Sequence, residues 1–374
     1  TAGQYTVAIE YSTLRPNTTG QYNVAIGYQS LTNNITGMRN TAVGYQALAS
    51  NKANDNVAVG INTLYSNTTG FSNVAVGYST LYANTTGSYN VALGQQSLGA
   101  NTTGQYNVGV GYHALRCNTV GQFNVGVGYN ALKANTTASY NVGVGYQALE
   151  DNTTGEFNVA IGYGALRENT VGKENTALGY YALRKTTTGI RNVAIGKQAM
   201  VNNLTGINNV AIGKDAMTNA VSANQNVAIG SAALYANANG HNNVAVGTGT
   251  LSFNTTGQKN IAIGVDTMRC NTVGCRNIAI GEQSLYSNTT GELNIAMGVN
   301  SLYGNTTGRY NIAVGFETMM CNTTSEFDVN CIEAEKPYKA KGAAGFVPAI
   351  SPLLKDGNYL FTEEQEKKCS RLLS

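Results

Sequence analysis

The sequence predicts an all-β fold, a parallel β-solenoid of about 19 short coils. Most of the chain repeats one phrase, typified by NTTGQYNVAIGYQSL at residues 17–31. The glycine of this phrase returns every 17 residues from Gly27 to Gly315, apart from one step of 16 between Gly44 and Gly60. Helical-pair repeats and propeller blades need roughly 33 to 50 residues, so a unit this short fits one coil of a solenoid.

Each unit is expected to contain two short strands. Asn23 to Ile26 alternate as a strand does, Gly27 breaks the strand, and YQSL forms a second brief run that ends at Leu31. The following NTTG has turn chemistry. Glu10 holds the glycine place in the first unit, which gives 19 units between Thr1 and about Thr324. At about 4.8 Å per coil the rod would be roughly 90 Å long.

Composition agrees with turns and ladders and limits the function classes. The 374 residues include 44 Gly, 23 Tyr, 4 Pro and no Trp, and only 11% are charged. The net charge of +3 comes without a basic cluster in the repeats, which disfavours nucleic-acid binding. No apolar run is long enough to span a membrane. The chain starts within a repeat and without Met, as a processed product or a fragment would.

One position of the unit is always small. The residue two before the repeated glycine is Ala or Gly in every unit, and its neighbours are the bulky Val24 and Ile26 and their equivalents. Such a run predicts burial on both faces of the strand, but a thin coil can enclose only one face. The Val/Ile face is expected to join the Leu or Met four residues past the glycine in the core. The small face is then predicted to meet other copies of the chain through Ala25, Ala42, Ala58, Ala75, Ala92, Gly109, Gly126, Gly143, Ala160 and Ala177.

The N-V-A-I-G-x-x-x-L units resemble the head repeats of trimeric autotransporter adhesins, in which left-handed parallel β-rolls from three chains pack about an axis. The longer wording NTTGxxNVAVGYxAL is similar to the fibre repeats of phage and algal-virus proteins. The resemblance covers about residues 1–324 and implies a homotrimer. The sequence departs from these families in its longer period, in lacking a heptad stalk and membrane-anchor strands, and in a tail without the opening of the fibre chaperone domain.

The sequence predicts no catalytic site, no metal site and no cofactor. His113 and His241 lie about seven coils apart, too far to share a metal or a catalytic triad within one rod. Gly109 and Gly126 occupy the small place of the repeat, which disfavours a phosphate-binding loop. No Asp recurs at the period as calcium solenoids require, and the acidic residues are scattered.

A tyrosine ladder follows the repeated glycine. Stacked rings on neighbouring coils would stabilise the rod, which is the favoured interpretation; the alternative is a stripe that receives glycans or a host protein. The ladder comprises Tyr11, Tyr28, Tyr45, Tyr78, Tyr112, Tyr129, Tyr146, Tyr163 and Tyr180.

The Asn-Thr-Thr turns form a second ladder, which either closes the turns by hydrogen bonds or carries N-linked glycans. Thr18 and Thr19 would point different ways, which disfavours an ice-binding face. The N-x-[ST] acceptors are Asn17, Asn34, Asn67, Asn84, Asn101, Asn135, Asn152, Asn203, Asn254, Asn288, Asn305 and Asn322.

The tail is expected to form a small α+β cap at residues 325–374. Cys331 and Cys369 bracket it and are predicted to form a disulfide. Thr362 and Gln365 make a capping box for a helix of about ten residues. A polar, non-repeating end would stop edge-on association of the solenoid.

These features together predict a non-enzymatic fibre protein, extracellular or on a cell or virion surface, that gives reach and attachment to a host protein or glycan. The alternative is a filament or sheath subunit that stacks end to end.

Overall fold

The computed structural model describes residues 5–331, and these form one parallel β-solenoid that confirms the predicted fold class. No helix occurs between residues 5 and 331, and so none there could cross a membrane. Each coil contributes one strand of three residues. The strands are β1 (Val7–Ile9), β2 (Val24–Ile26), β3 (Thr41–Val43), β4 (Val57–Val59), β5 (Val74–Val76), β6 (Val91–Leu93), β7 (Val108–Val110), β8 (Val125–Val127), β9 (Val142–Val144), β10 (Val159–Ile161), β11 (Thr176–Leu178), β12 (Val193–Ile195), β13 (Val210–Ile212), β14 (Val227–Ile229), β15 (Val244–Val246), β16 (Ile261–Ile263), β17 (Ile278–Ile280), β18 (Ile295–Met297), β19 (Ile312–Val314) and β20 (Val329–Cys331).

Successive strands pair in parallel and in register along the whole sheet, so equivalent residues form straight columns. Ala25 pairs with Ala42, and Ala160 pairs with Ala177. The register survives the 16-residue step, because Thr41 still pairs with Val57. The missing residue is therefore absorbed in a turn and not in the sheet.

The ladder extends beyond the predicted end of the repeats near residue 324. Val329 pairs with Ile312, which makes β20 a further strand of the same sheet. The rest of the predicted cap lies outside the described residues, and so do its helix, Thr362, Gln365 and the Cys331–Cys369 disulfide.

The predicted second strand of each coil is wrong. Around YQSL, Gln29 and Leu31 have φ of 55° and 48°, and the equivalent residues of the other coils share this left-handed conformation. Alternate residues therefore aim their N–H groups in opposite directions. Gln29 N donates to Tyr11 O of the preceding coil and Leu31 N donates to Ala47 O of the following coil. The coil-to-coil hydrogen bonds offset a conformation that costs roughly 1–2 kcal/mol per residue.

The small face of the strand lies inside the coil, which overturns its assignment as the oligomer face. From Ala25 to Ala313 the alanines of that face are fully buried within the single chain, and only Ala8 in the first coil is exposed. A methyl group at Gly126 would come within 3.2 Å of Leu115 Cγ, and one at Gly143 within 3.2 Å of Leu132 Cγ. The coil is so narrow that only a residue no larger than Ala fits opposite the core Leu. Thus Ala25, Ala42, Ala58, Ala75, Ala92, Gly109, Gly126, Gly143, Ala160 and Ala177 all face the interior.

The expected burial of the Val/Ile face is wrong for the same reason. Alternation along a strand sends the first and third residues outward when the middle one points inward. Val24 and Ile26 are accordingly half-buried, and Val74 and Val76 are 36% and 38% exposed. The Leu or Met four residues past the glycine fills the core as predicted.

Candidate functional site: the outer face of the sheet

The outer face of the sheet carries an aliphatic strip, defined here as the first and third residues of β2 to β19. Thr41 and Thr176 are the only polar residues at these positions, and none is charged. Every one is half-buried or exposed. Strands of three residues at about 3.3 Å each, over a rod of roughly 90 Å, give a strip of roughly 900 Å². Soluble monomers rarely expose apolar patches larger than about 300–600 Å².

The predicted tyrosine ladder borders the strip just after the strands, and we call it the post-strand column. Its rings stack in two runs, Tyr11 to Tyr45 and Tyr112 to Tyr180, with centroids 5.3 Å apart for Tyr112–Tyr129 and 4.8 Å for Tyr146–Tyr163. Tyr78, between Ile61 and Gln95, stands outside both runs. All nine tyrosines are exposed, from Tyr28 at 37% to Tyr11 at 69%. Since the ring faces cover one another, the column presents mainly ring edges and hydroxyls to a partner.

A second aromatic column, the pre-strand column, borders the strip just before the strands and was missed in the sequence. Its longest run stacks at centroid distances of 4.8 to 5.1 Å and interplanar angles of 2° to 7°. The signal was present, because an aromatic residue recurs two places before the strand in GSYN, GQYN, GQFN, ASYN and GEFN. The run comprises Tyr89, Tyr106, Phe123, Tyr140 and Phe157.

Four consecutive coils, those of β7 to β10, carry both aromatic columns, and the coils of β1, β2 and β19 do so as well. In the coil of β7 the outward residues read Tyr106, Val108, Val110 and Tyr112. The coils of β8, β9 and β10 repeat this order with Phe or Tyr at the two borders. An aliphatic floor with an aromatic border on each side therefore extends over β7 to β10.

The sequon asparagines are interior residues and not glycan acceptors of the folded coil. Asn67 Nδ2 donates to Asn51 Oδ1 at 2.8 Å and to Gly70 O at 2.7 Å, and Asn84 continues the column. A glycan on Nδ2 would remove these bonds and could not fit inside the coil. The fully buried acceptors are Asn34, Asn67, Asn84, Asn101, Asn135, Asn152, Asn203, Asn254, Asn288, Asn305. Asn17 and Asn322, at the two ends of the rod, are only half-buried.

A second asparagine column runs directly before the strands, with one asparagine in each coil from β2 to β19. Asn141 N and Nδ2 donate to Asn124 Oδ1, and Asn141 Nδ2 also donates to Gly155 O at 2.9 Å. Asn158 then donates to Asn141 Oδ1 in the same way. Each column bonds along itself, and both donate to the same turn carbonyl, as Asn141 and Asn152 do to Gly155 O. These bonds fix the coil-to-coil register.

The Thr-Thr turns expose a single threonine column. Thr68 Oγ1 donates to Thr85 O at 3.0 Å, and Thr85 Oγ1 to Thr102 O at 3.1 Å, so the first threonine of each turn binds backbone. The second threonine, such as Thr69 or Thr86, is exposed. A flat face of two threonine columns is not formed by these turns, which gives ice binding no support.

Charged residues form local pairs on the rod wall. The buried Glu150 carboxylate lies 3.1 Å from Arg167 Nε and 3.9 Å from Lys133 Nζ, and it accepts a bond from Asn130 Nδ2 at 2.8 Å. Partial desolvation, with the Glu150 carboxylate nearby, raises the pKa of the exposed Asp151. Basic side chains of the neighbouring coils thus offset the negative charge of Glu150.

The two histidines stay apart, as the spacing predicted. His113 Nε2 lies 2.8 Å from Gln96 Oε1, and burial lowers the pKa of His113. His241 Nδ1 accepts the Asn224 N–H at 3.0 Å. Within residues 5–331, no three His, Cys, Asp or Glu side chains are grouped to hold a metal ion. Cys117, Cys270, Cys275 and Cys321 are free thiols.

No protein-family model matches this chain, and no curated protein matches its sequence.

Proposed function

We propose that the chain is a non-enzymatic structural and adhesive fibre protein of an extracellular, cell-surface or virion-surface setting, which self-associates through the aliphatic strip. The observation that carries the proposal is the strip itself, an uncharged outer face that continues over β2 to β19. The solenoid provides reach, and the strip provides a surface to bury.

The size of the strip fits an interface between copies. A standard specific interface buries about 800 Å² per partner, close to the roughly 900 Å² of the strip. A second copy carries the same columns at the same spacing, so its side chains can interdigitate along the whole rod. The resemblance to trimeric adhesin heads favours three copies about an axis over two copies face to face.

The aromatic borders of β7 to β10 would then be the attachment region for a host protein or glycan. They remain at the margins of the strip when its centre is covered. Because stacked rings offer edges and hydroxyls, the partner is expected to present groups that hydrogen-bond to phenols as well as apolar surface.

The proposal is tested by light scattering on the wild type and on Val142→Asp/Val144→Asp. The wild type should form a defined trimer at micromolar concentration, and the variant should be monomeric because each assembly would bury unpaired carboxylates. The matched control is Thr137→Asp/Thr154→Asp, which adds two charges in exposed turns of nearby coils. A monomeric wild type, or a variant that assembles as well as the control, would contradict self-association through the strip.

End-to-end stacking is the rival function. It is supported by the identical register at every coil boundary, since a coil from another chain could add to an end of the sheet in the same way. Electron microscopy separates discrete rods of roughly 90 Å from indefinite filaments.

A further inference from the structure

The turn that begins at Asn51 is one residue shorter than the other turns of the solenoid. Asn51 Nδ2 reaches Ala53 O two residues on, whereas Asn67 Nδ2 reaches Gly70 O three residues on. Ala53 therefore takes the place of the turn glycine, and the exposed second threonine of the turn is the residue that is missing. The step of 16 residues thus removes one side chain from the exposed threonine column, between Thr36 and Thr69.

The missing side chain leaves a surface depression of about 410 Å³, which we call the turn notch. Its lining includes Thr36, Lys52, Asn54, Asp55, Thr69 and Phe71. This volume lies within the range of small-ligand sites, about 300–1,000 Å³. The notch lies in the turns and is lined by no residue of the aliphatic strip.

Phe71 gives the notch an apolar wall. Its ring meets Tyr89 edge-on, at 75° and a centroid distance of 5.0 Å, whereas the rings beyond Tyr89 are stacked within 7° of parallel. Phe71 is 41% exposed and is not part of the stack. Its ring is therefore available to a ligand in the notch, which Met38 also lines.

The charge of the notch is positive. Arg39 binds Asp55 in a bidentate pair at 2.6 and 2.9 Å, and this hydrogen bonding lowers the pKa of Asp55. The Asp55 carboxylate is thus neutralised by Arg39. Lys52 is exposed and takes part in none of the ion pairs found among residues 5–331. Its ammonium group is the free cation of the notch.

We propose that the turn notch binds a sugar-sized carboxylate, such as a hexuronate or another acidic monosaccharide unit. Lys52 Nζ pairs with the carboxylate, the apolar face of the sugar ring lies against Phe71, and Thr36, Asn54 and Thr69 offer hydrogen bonds to its hydroxyls. The unit is either a free sugar acid or one residue of an acidic polysaccharide, which share this chemistry.

Saturation-transfer NMR with the full chain tests the site, using glucuronate, glucose and benzoate at about 10 mM each. Glucuronate should bind with a Kd on the order of 1 mM, as expected of a small ligand in an open site. Glucose lacks the charge and benzoate lacks the hydroxyls, so each should bind at least about tenfold more weakly. A glucuronate oligomer that binds more tightly than the monomer would identify an acidic polysaccharide as the source of the ligand. An oligomer that binds no more tightly per sugar unit than the monomer would identify a free sugar acid.

Two variants locate the binding. Lys52→Gln removes the cation and should weaken glucuronate binding about tenfold, whereas Lys259→Gln, at an exposed lysine of another coil, should leave it unchanged. Insertion of Gly between Ala53 and Asn54 restores the 17-residue turn and should abolish binding while circular dichroism stays that of the wild type. The proposal is overturned if glucuronate gives no transfer, if benzoate or glucose binds equally well, or if Lys52→Gln binds like Lys259→Gln.

Discussion

The coils of β7 to β10 and those of β12 to β15 share one interior but present different surfaces. In the first group both columns beside the strip are aromatic, as in Tyr140 and Tyr146. In the second the same places hold polar or charged residues, as in Arg191 and Lys197. Both groups keep Ala or Gly inside the strand, Leu or Met in the core and Asn before the strand.

The difference shows which positions define the solenoid and which are free to carry function. An interior side chain contacts the coils above and below, so any change is felt in three coils. A border side chain contacts only its column neighbours and solvent. We therefore expect interior substitutions to act equally in both groups, and border substitutions to act in the aromatic group alone.

The largest expected effect comes from the asparagine column before the strands. Asn141→Ala leaves Gly155 O without the Asn141 amide and the Asn158 backbone N–H without its acceptor, and Asn243→Ala does the same to Gly257 O and the Asn260 N–H. Each should lower the free energy of unfolding by about 3 kcal/mol, because buried polar groups lose their partners. Denaturant unfolding measures both, and Asn33→Ala at an exposed position is the control. If the two substitutions lower the free energy of unfolding by amounts that differ by more than about 1 kcal/mol, the two groups of coils do not share one interior.

Overpacking the small strand position should have the next largest effect. Ala160→Leu inserts three carbons beside the core and should destabilise the fold by roughly 1–3 kcal/mol, even in a monomer. Val159→Leu, one residue earlier on the outer face, should change the melting temperature little. If Ala160→Leu is as stable as Val159→Leu but fails to assemble, the small face lies outside the coil and forms the contact between copies.

The two faces of the strand lie the opposite way round from the prediction, and the reason separates what the sequence can predict from what it cannot. The period, the parallel coils, the core Leu and the turns follow from spacing and turn chemistry. Alternation separates Ala25 from Val24 and Ile26, but it does not say which face is inside. The narrow width of the coil decides that, and width depends on the backbone path. The left-handed backbone at Gln29 and Leu31 narrows the coil. This conformation could not be predicted from residue preferences, since Leu seldom adopts positive φ.

The candidate site was also predictable only in part, because the repeat period gives its columns but not which of them face outward. The tyrosine ladder follows from the period alone, and the pre-strand column could have been found from the same count. The aliphatic strip could not, because its exposure depends on the inside-outside assignment. The asparagine sequons match a glycosylation motif, but their burial follows only from the coil geometry.

Self-association should be more sensitive to the strip in the aromatic group than in the polar group. Val142→Asp/Val144→Asp and Val244→Asp/Val246→Asp place the same charges at the same depth, beside Tyr140 and Tyr146 in one case and Asn242 and Thr248 in the other. Aromatic borders exclude water better, so the first pair should weaken assembly about tenfold more than the second. Sedimentation velocity across a concentration series measures both. Equal weakening would mean that the aromatic borders do not contribute to assembly.

The smallest expected effect is a shift in tyrosine ionisation where the aromatic group ends. Hydrogen bonding with Tyr181 raises the pKa of Tyr163 and of Tyr180, because the bond favours the neutral phenol. A phenol whose folded pKa lies above its unfolded value contributes stability below the unfolded pKa, near 10, and loses it as pH rises through the folded pKa. Tyr181→Phe removes the bond and should lower both titration midpoints, as read from the ¹³Cζ shifts of labelled tyrosine. Tyr65→Phe, in a stacked pair elsewhere, is the control and should leave the Tyr163 and Tyr180 midpoints in place. Unchanged midpoints in Tyr181→Phe would show that stacking along the column, and not Tyr181, sets the ionisation of this end of the ladder.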